Sequence, residues 1–555
     1  MSTQEPSKES TPNSFICACE KDMRQACAGE GFYKEKEGKR YCVLHYPGDE
    51  KGEVFKKARN QKQSAQDYNF RGVWFPKGDK FKELHWNRTT DFSSASFNEY
   101  IDFSGVEFHF KALFKNARFN AGVDFSRAIF SAGADFSGAR FDGGANFNEA
   151  DFRRSADFSE ARFTSSANFS RASFKETANF FKANFGLSTN FSNAIFELDA
   201  NFVANMFSGD AKFSSVEFRA ESDFKVACFS ARADFGSANF SKVADFFFAS
   251  FFARADFTDA VFYAGANFSA ASFSAAVDFS FARFDVDAQF SKARFSNAAV
   301  FIGTIFKDLF HFAGSTKQRS FGDQQQLNFQ SAHFEKPDRV SFHTLDLRPH
   351  WFVNVDSRKF VFHDVEFRFN LKKELKSLNN IWGGAHHRQL EIACRQLALN
   401  AEENHRYGQA ADLRYASMDA RRLEWLQDRE TKKKFQFLHW LYWMASGYGE
   451  SVRRAFWALV VLWLLFAFFY TKVGFEHKTA RPIGNQSAIA AQEDEVGKPL
   501  PFKKVFTYSL GVMSLQKPDP KPVTVAAQTL VIFETILCPI QAALLALAIR
   551  RRFMR

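Results

Sequence analysis

The chain has 555 residues, of which 74 are Phe, against 12 Tyr and 9 Trp. With 46% hydrophobic and 24% charged residues it cannot be disordered throughout; 29 Gly and 13 Pro exclude a collagen-like chain, and seven Cys exclude a disulfide-stapled miniprotein. The net charge of +11 permits nucleic acid or an anionic membrane surface as a partner without requiring either.

Residues 1–14 are polar and lack the apolar run of a secretory signal, so they are expected to form a disordered tail in the cytosol. Cys17, Cys19, Cys27, Cys42 and His45 follow, as Cys-x-Cys, seven residues, Cys, fourteen residues, Cys-x-x-His. Reduced thiols with a nearby imidazole suit a tetrahedral zinc ion. A segment this rich in Lys, Glu and Gly needs such a staple to fold. Residues 15–90 are therefore expected to form a Cys/His-rich module with a structural zinc. Five candidates compete for four places, and plain cysteines without metal are the alternative.

From Phe92 the Phe residues alternate in steps of five and six without a miss to Phe312, giving 41 consecutive positions. Ala stands two before Phe in 30 of the 41, and Asp or Asn stands directly before it in 16 of the 21 units that begin at Phe92. A helix would place Phe at i and i+5 about 140° apart and could not gather them on one stripe. Ser, Asp, Asn and Gly at fixed places also disfavour helix. Strict alternation is missing, which excludes an ordinary meander. What remains is a solenoid whose short faces each carry one small and one large inward residue.

Units such as Ala156-Asp157-Phe158-Ser159-Glu160 resemble the pentapeptide-repeat family. The resemblance implies a right-handed quadrilateral parallel β-helix, with four units to a coil, over residues 91–314. The sixth residue in alternate units is expected to bulge at alternate corners, so that each coil is two eleven-residue periods. Ten coils at about 4.8 Å each give a rod of roughly 48 Å. Tyr41-Cys42-Val43-Leu44-His45 resembles a Cys-x-x-His segment ahead of the repeats in some membrane-bound relatives. Family members that mimic DNA and inhibit gyrase need a strongly negative surface. Residues 92–312 hold 21 Lys and Arg against 25 Asp and Glu, which disfavours that role. Phe181, Phe247, Phe248, Phe252 and Phe281 lie outside the ladder, either as an outward contact patch or as tolerated single exposures. The register breaks at Lys317, and residues 315–376 are expected to be degenerate coils that cap the open end.

After the cap the chain changes character. A cytosolic helical hairpin is expected over 377–434, with helices at 386–404 and 409–428. His386 and His387 at its start are read as solvated. The aromatic run at 435–454 reads as an interfacial segment. Transmembrane helices are expected at 455–475 and 523–549, the second ending in Arg550, Arg551 and Arg552. The 476–522 loop is expected outside, with both termini cytosolic, since nothing would export the long chain ahead of the first span.

The stretch from Ser446-Gly447-Tyr448-Gly449-Glu450 to the end resembles the two-helix, pore-loop part of the potassium-channel superfamily. That resemblance makes 502–513 a pore-helix-like segment, with Thr507, Ser509 and Ser514 as its polar candidates. The run after it, Val512-Met513-Ser514-Leu515-Gln516, is not a potassium filter, whose backbone carbonyls replace the ion's water. Glu534 falls near the middle of the second span, and Cys538 and Gln541 continue its stripe. The three are candidates for lining a pore or for polar packing between helices.

No phosphate loop, nucleophile elbow or helical zinc-protease motif is present, so no enzyme is expected. The sequence therefore reads as a multi-pass protein of a bacterial inner membrane, channel-like or a sensor. Membrane lipid is its partner, and it forms a homo-oligomer, with four copies if it encloses a pore. The alternative is a membrane-anchored scaffold whose solenoid binds cytosolic proteins; no nucleic acid is expected as a partner.

Overall fold

The computed structural model describes residues 15–27, 29–77, 81, 86–314, 327–378, 386–427, 436–476 and 496–553. The expected disordered tail and parts of the expected cap, hairpin and loop lie outside the described residues. The chain divides into two units, Met1–Leu347 with Lys359–Glu366, and Arg348–Arg358 with Phe367–Arg555.

The first unit is a parallel β-solenoid with four faces, whose sheets hold 11, 11, 13 and 11 strands. Most of these strands are two residues long, and each pairs with the strand one coil on, as in Ala134↔Ala156 and Phe141↔Phe163. The coil is therefore 22 residues, the same separation that joins Asn168 to Asn146. The small residue and the Phe of each unit point inward, and the residue between them points out. Each inward ring stacks on the ring one coil away and meets a ring of another face edge-on. Phe147 lies 4.8 Å from Phe169 with an interplanar angle of 0°, and 5.4 Å from Phe158 at 88°. Burying a Phe contributes about 1.5–3 kcal/mol, so the ladder supplies most of the driving force against backbone ordering.

The corners explain the two step lengths. Five-residue steps close through a hydrogen bond such as Ala139 N–H to the Phe136 carbonyl, 3.0 Å, with Gly138 left-handed between them. Most residues at that corner are not Gly: Arg127, Glu149, Lys182, Val226 and Phe248 all take positive φ there. The Asp or Asn before Phe stabilises the turn, its Oδ1 accepting the backbone N–H two residues on, as Asp135 does from Ser137 at 2.8 Å. These side chains also link coils, with Asn146 donating to Asp124 and Asn168 to Asn146. Six-residue steps take the extra residue at the alternate corners, mostly without a left-handed residue.

Five of the inward companion slots are polar: Thr90, Thr189, Asn205, Ser222 and Thr304. Asn205 replaces Ala, is 1% exposed, and donates to the Phe180 and Ala183 carbonyls, while its Oδ1 has no partner. Asn205→Ala restores the usual occupant and removes that orphan acceptor. It is expected to leave stability unchanged or raise it by about 1 kcal/mol, read by thermal melting of the solenoid.

The solenoid starts earlier than residue 91. Phe70 stacks on Phe92, Phe75 on Phe97 and Trp86 on Phe108, and Phe81 packs on Phe103. Four inward rings one coil ahead of Phe92, Phe97, Phe103 and Phe108 thus lie within 15–90, a segment expected to be all Cys/His module. At the other end Phe329 stacks on Phe301 and Phe334 on Phe306, so the ladder resumes after 315–326. Phe342, on the strand Val340–Leu347, then packs against Phe360 and Phe362. Phe247, Phe248, Phe252 and Phe281 are exposed, whereas Phe181 is half-buried with the Lys182 ammonium over its ring.

Ahead of the first coil stand the hairpin β1 (Phe32–Lys36) and β2 (Lys39–Cys42) and the helix α1 (Gly52–Ser64). Phe55 of α1 meets Phe75 edge-on at 5.5 Å, so α1 covers the first rings and closes the stack.

The second unit is helical, with α2 (Leu371–Leu378), α3 (His386–Glu403) and α4 (Tyr407–Gln427) leading. Leu390, Ala393 and Cys394 of α3 pack on Ala416 and Ala420 of α4 and on Leu378. Next come α5 (Gln436–Ser446) and α6 (Val452–Tyr470), a two-stranded hairpin of Gly474–Glu476 with Val496–Pro499, then α7 (Phe502–Met513) and α8 (Val525–Phe553). Helices α6 and α8 are each long and apolar enough to cross a membrane.

Candidate metal centre and candidate membrane site

Four of the five predicted ligands converge. The Cys17, Cys27 and Cys42 sulfurs and a His45 ring nitrogen all lie within 4.8 Å of one another, and all four residues are buried. β2 delivers Cys42, and the turn after it brings His45 back, with Cys42 Sγ 3.2 Å from His45 Nδ1. Cys17 Sγ lies 3.7 Å from Cys42 Sγ and accepts the Cys42 backbone N–H at 3.4 Å. Tetrahedral zinc thiolates at about 2.3 Å from the metal place their sulfurs roughly 3.8 Å apart, so the spacing fits. His45 Nε2 sits 3.0 Å from the Arg71 carbonyl. That contact fixes the tautomer with the proton on Nε2 and leaves the Nδ1 lone pair facing the sulfurs, the outer-shell arrangement that metal-binding imidazoles use. Arg71 belongs to the first coil, so the cluster also anchors the N-terminal module to the solenoid.

The electrostatics point the same way. Hydrogen bonds from Cys19, Cys27 and Cys42 pull the Cys17 thiol far below its usual value. Hydrogen bonding to Cys17 in turn holds the protons on its neighbours, pushing Cys27 and Cys42 well up and Cys19 to about 12. Burial opposes a charge on His45, but Cys17 and Cys42 outweigh it and lift the imidazole to about 9. A divalent cation bound here would displace the protons that these thiols and the imidazole share. Cys19 is half-buried beside the cluster and outside the four-residue group.

In the second unit, Glu534, Cys538 and Gln541 are all at most 3% exposed and lie on the face of α8 turned toward other helices of the chain. The Tyr470 hydroxyl donates to one Glu534 oxygen, and Ser509 of α7 donates to the other. Tyr470 sits at the end of α6 and shows no spacing signal in the sequence. Cys538 belongs to the buried cluster that also holds Phe466, Val505 and Ala527. Gln541 Nε2 donates to the Ala445 carbonyl at 2.7 Å and the Ala455 carbonyl at 2.9 Å, tying α5 and α6 to α8. Of the three pore-helix candidates, Ser509 faces this core, while Thr507 and Ser514 bond back to the Lys504 and Leu510 carbonyls of their own helix.

A second polar cluster lies at the other end of α8. Gly447, Tyr448 and Gly449 take consecutive positive φ values of 55°, 63° and 74°, and so turn α5 sharply into α6. The turn buries Glu450, whose carboxylate binds Arg414 of α4 at 2.9 Å and Arg551 of α8 at 3.1 Å. Arg414 also binds Glu402 of α3 at 2.9 Å. One carboxylate thus ties the α3–α4 hairpin to both apolar helices.

Residues 103–151 match the family model for pentapeptide repeats, in nine copies. No curated protein and no solved structure matches the chain.

Proposed function

We propose that this pentapeptide-repeat solenoid is carried by an integral membrane protein of the sensor type, with zinc as a structural ion at Cys17, Cys27, Cys42 and His45. Helices α6 and α8 span the membrane, and α7 packs between them as a short re-entrant segment. The observation that carries the membrane placement is the outward face of α6 and α8. Only 17% of the most apolar window of each helix is buried, and Phe468, Phe469, Ile532, Phe533 and Ile536 all point away from the protein. A core helix of a soluble protein buries such side chains; a lipid-facing helix does not. Arg453, Arg454 and Arg550 to Arg552 flank the same ends of the two spans, but the segment 472–522 carries eight Lys and Arg of its own, so charge does not set the orientation.

The sensor reading is supported by Glu450, since a buried charge shared between the hairpin and α8 passes movement of one to the other. The solenoid, tethered through the same chain, offers its faces to cytosolic proteins. The full-length protein is expected to stay in the pellet after alkaline carbonate washing and to leave planar bilayers silent. Release into the supernatant would remove the membrane placement. A current that changes in Glu534→Gln would replace the sensor with a channel built from several copies.

A further inference from the structure

A trough of about 970 Å³ opens between α5, α6 and α8. Leu441 and Met444 of α5, Trp457 and Val461 of α6, and Leu537 and Ile540 of α8 form its walls, and all six are exposed to it. His439, Tyr442 and Gln541 also line it, and the Gln541 amide N–H groups are already given to the Ala445 and Ala455 carbonyls. The trough therefore suits a hydrocarbon chain and offers little to a polar ligand.

Its rim is different. The Arg454 guanidinium lies over the Trp443 ring at 4.8 Å and the Tyr415 ring at 5.4 Å. Among the described residues it has no carboxylate partner, whereas Arg414 and Arg551 nearby are both paired. Two aromatic faces thus hold a cation in place at the mouth of an apolar slot, leaving its N–H groups open to an acceptor. Arg453 is exposed beside it.

We infer that the trough is a binding site for one anionic phospholipid, with an acyl chain between α5, α6 and α8 and the headgroup phosphate on Arg454. The charge complementarity selects the occupant: a second copy of the chain would have to bring a carboxylate to the same place, whereas an anionic lipid carries a phosphate where the apolar slot ends, with no headgroup ammonium to offset it or to repel Arg454. The inference rests on the membrane placement proposed above.

The test uses full-length protein purified in mild detergent, offered phosphatidylglycerol or phosphatidylcholine, with retained lipid counted by native mass spectrometry. The wild type is expected to retain one phosphatidylglycerol per chain in preference to phosphatidylcholine. Arg454→Gln should lower that preference about fivefold, the effect of one basic residue at an anionic surface. Val461→Trp, which puts a bulky ring across the trough wall where an acyl chain would lie, should lower retention of both lipids. Equal retention of the two lipids by the wild type, an unchanged preference in Arg454→Gln, or unchanged retention in well-folded Val461→Trp would each overturn the site. Should Val461→Trp fail to fold, the Arg454→Gln arm alone decides. A dimer that retains no lipid and that Val461→Trp dissociates would give the trough to a second copy. Protein that withstands carbonate washing yet shows no lipid preference loses this inference alone; protein that is washed out loses the membrane placement with it.

Discussion

Replacing Cys42 with Ser, or stripping divalent metal with a strong chelator, is expected to unfold the segment from Phe15 to about Gln66 while the Phe ladder beyond Phe103 stays folded. The segment has little else to hold it. Its buried apolar groups are few, chiefly Ala26, Val43, Leu44, Tyr46, Phe55 and Ala58. Lys51 is fully buried and spends its ammonium on the Val43 and Leu44 carbonyls. Structural zinc in small domains contributes on the order of 10–16 kcal/mol, far more than this core can supply. Cys42 touches Cys17 and His45 at once. Limited proteolysis should show new cleavage confined to the N-terminal module, and metal analysis should find one zinc per chain in the wild type and none in the variant. Cys19→Ser should retain the ion. A metal-free wild type with the same protease pattern as Cys42→Ser would sink the zinc assignment.

Glu534→Ala is expected to cost about 2–4 kcal/mol in the helical unit, because it leaves the Tyr470 hydroxyl without its acceptor, leaves Ser509 only the Trp463 carbonyl at 3.4 Å, and opens a cavity among α6, α7 and α8. Glu534→Gln keeps an oxygen and the volume, and should cost under about 1 kcal/mol. Ser509→Ala should fall between the two. Thermal melting in detergent reads the series. If Glu534→Ala melted like the wild type, the carboxylate would not be holding the three helices together.

The ladder is legible in the sequence because a stacked coil repeats its chemistry at fixed separation: Phe at steps of five and six, Ala two before, Asp or Asn one before. The first coil is hidden for a physical reason. Phe70, Phe75, Phe81 and Trp86 keep the steps of five, six and five, but Trp replaces the fourth Phe and the companion Ala residues are missing. The signal that remains is Phe70 itself, standing one whole coil before Phe92. At the metal cluster, residue types mark the ligands, but the choice of Cys17 over Cys19 depends on how the chain closes against β2, which spacing does not encode. Glu534 and Ser509 are each visible as polar groups in apolar surroundings. Their pairing, and Tyr470 as the third member, arises from packing across 25 and 64 residues of chain.

A coil made from two chemically equivalent halves has a geometric consequence. Ring stacking is so nearly untwisted, 0° between Phe147 and Phe169, that one coil can substitute for another. Gain or loss of a whole coil would only change the distance the solenoid spans. Gain or loss of half a coil would keep every Phe in place but carry all that follows to the opposite side of the axis. Growth of this scaffold by duplication is thus quantised in half turns, and the parity of the count decides which flank faces which neighbour.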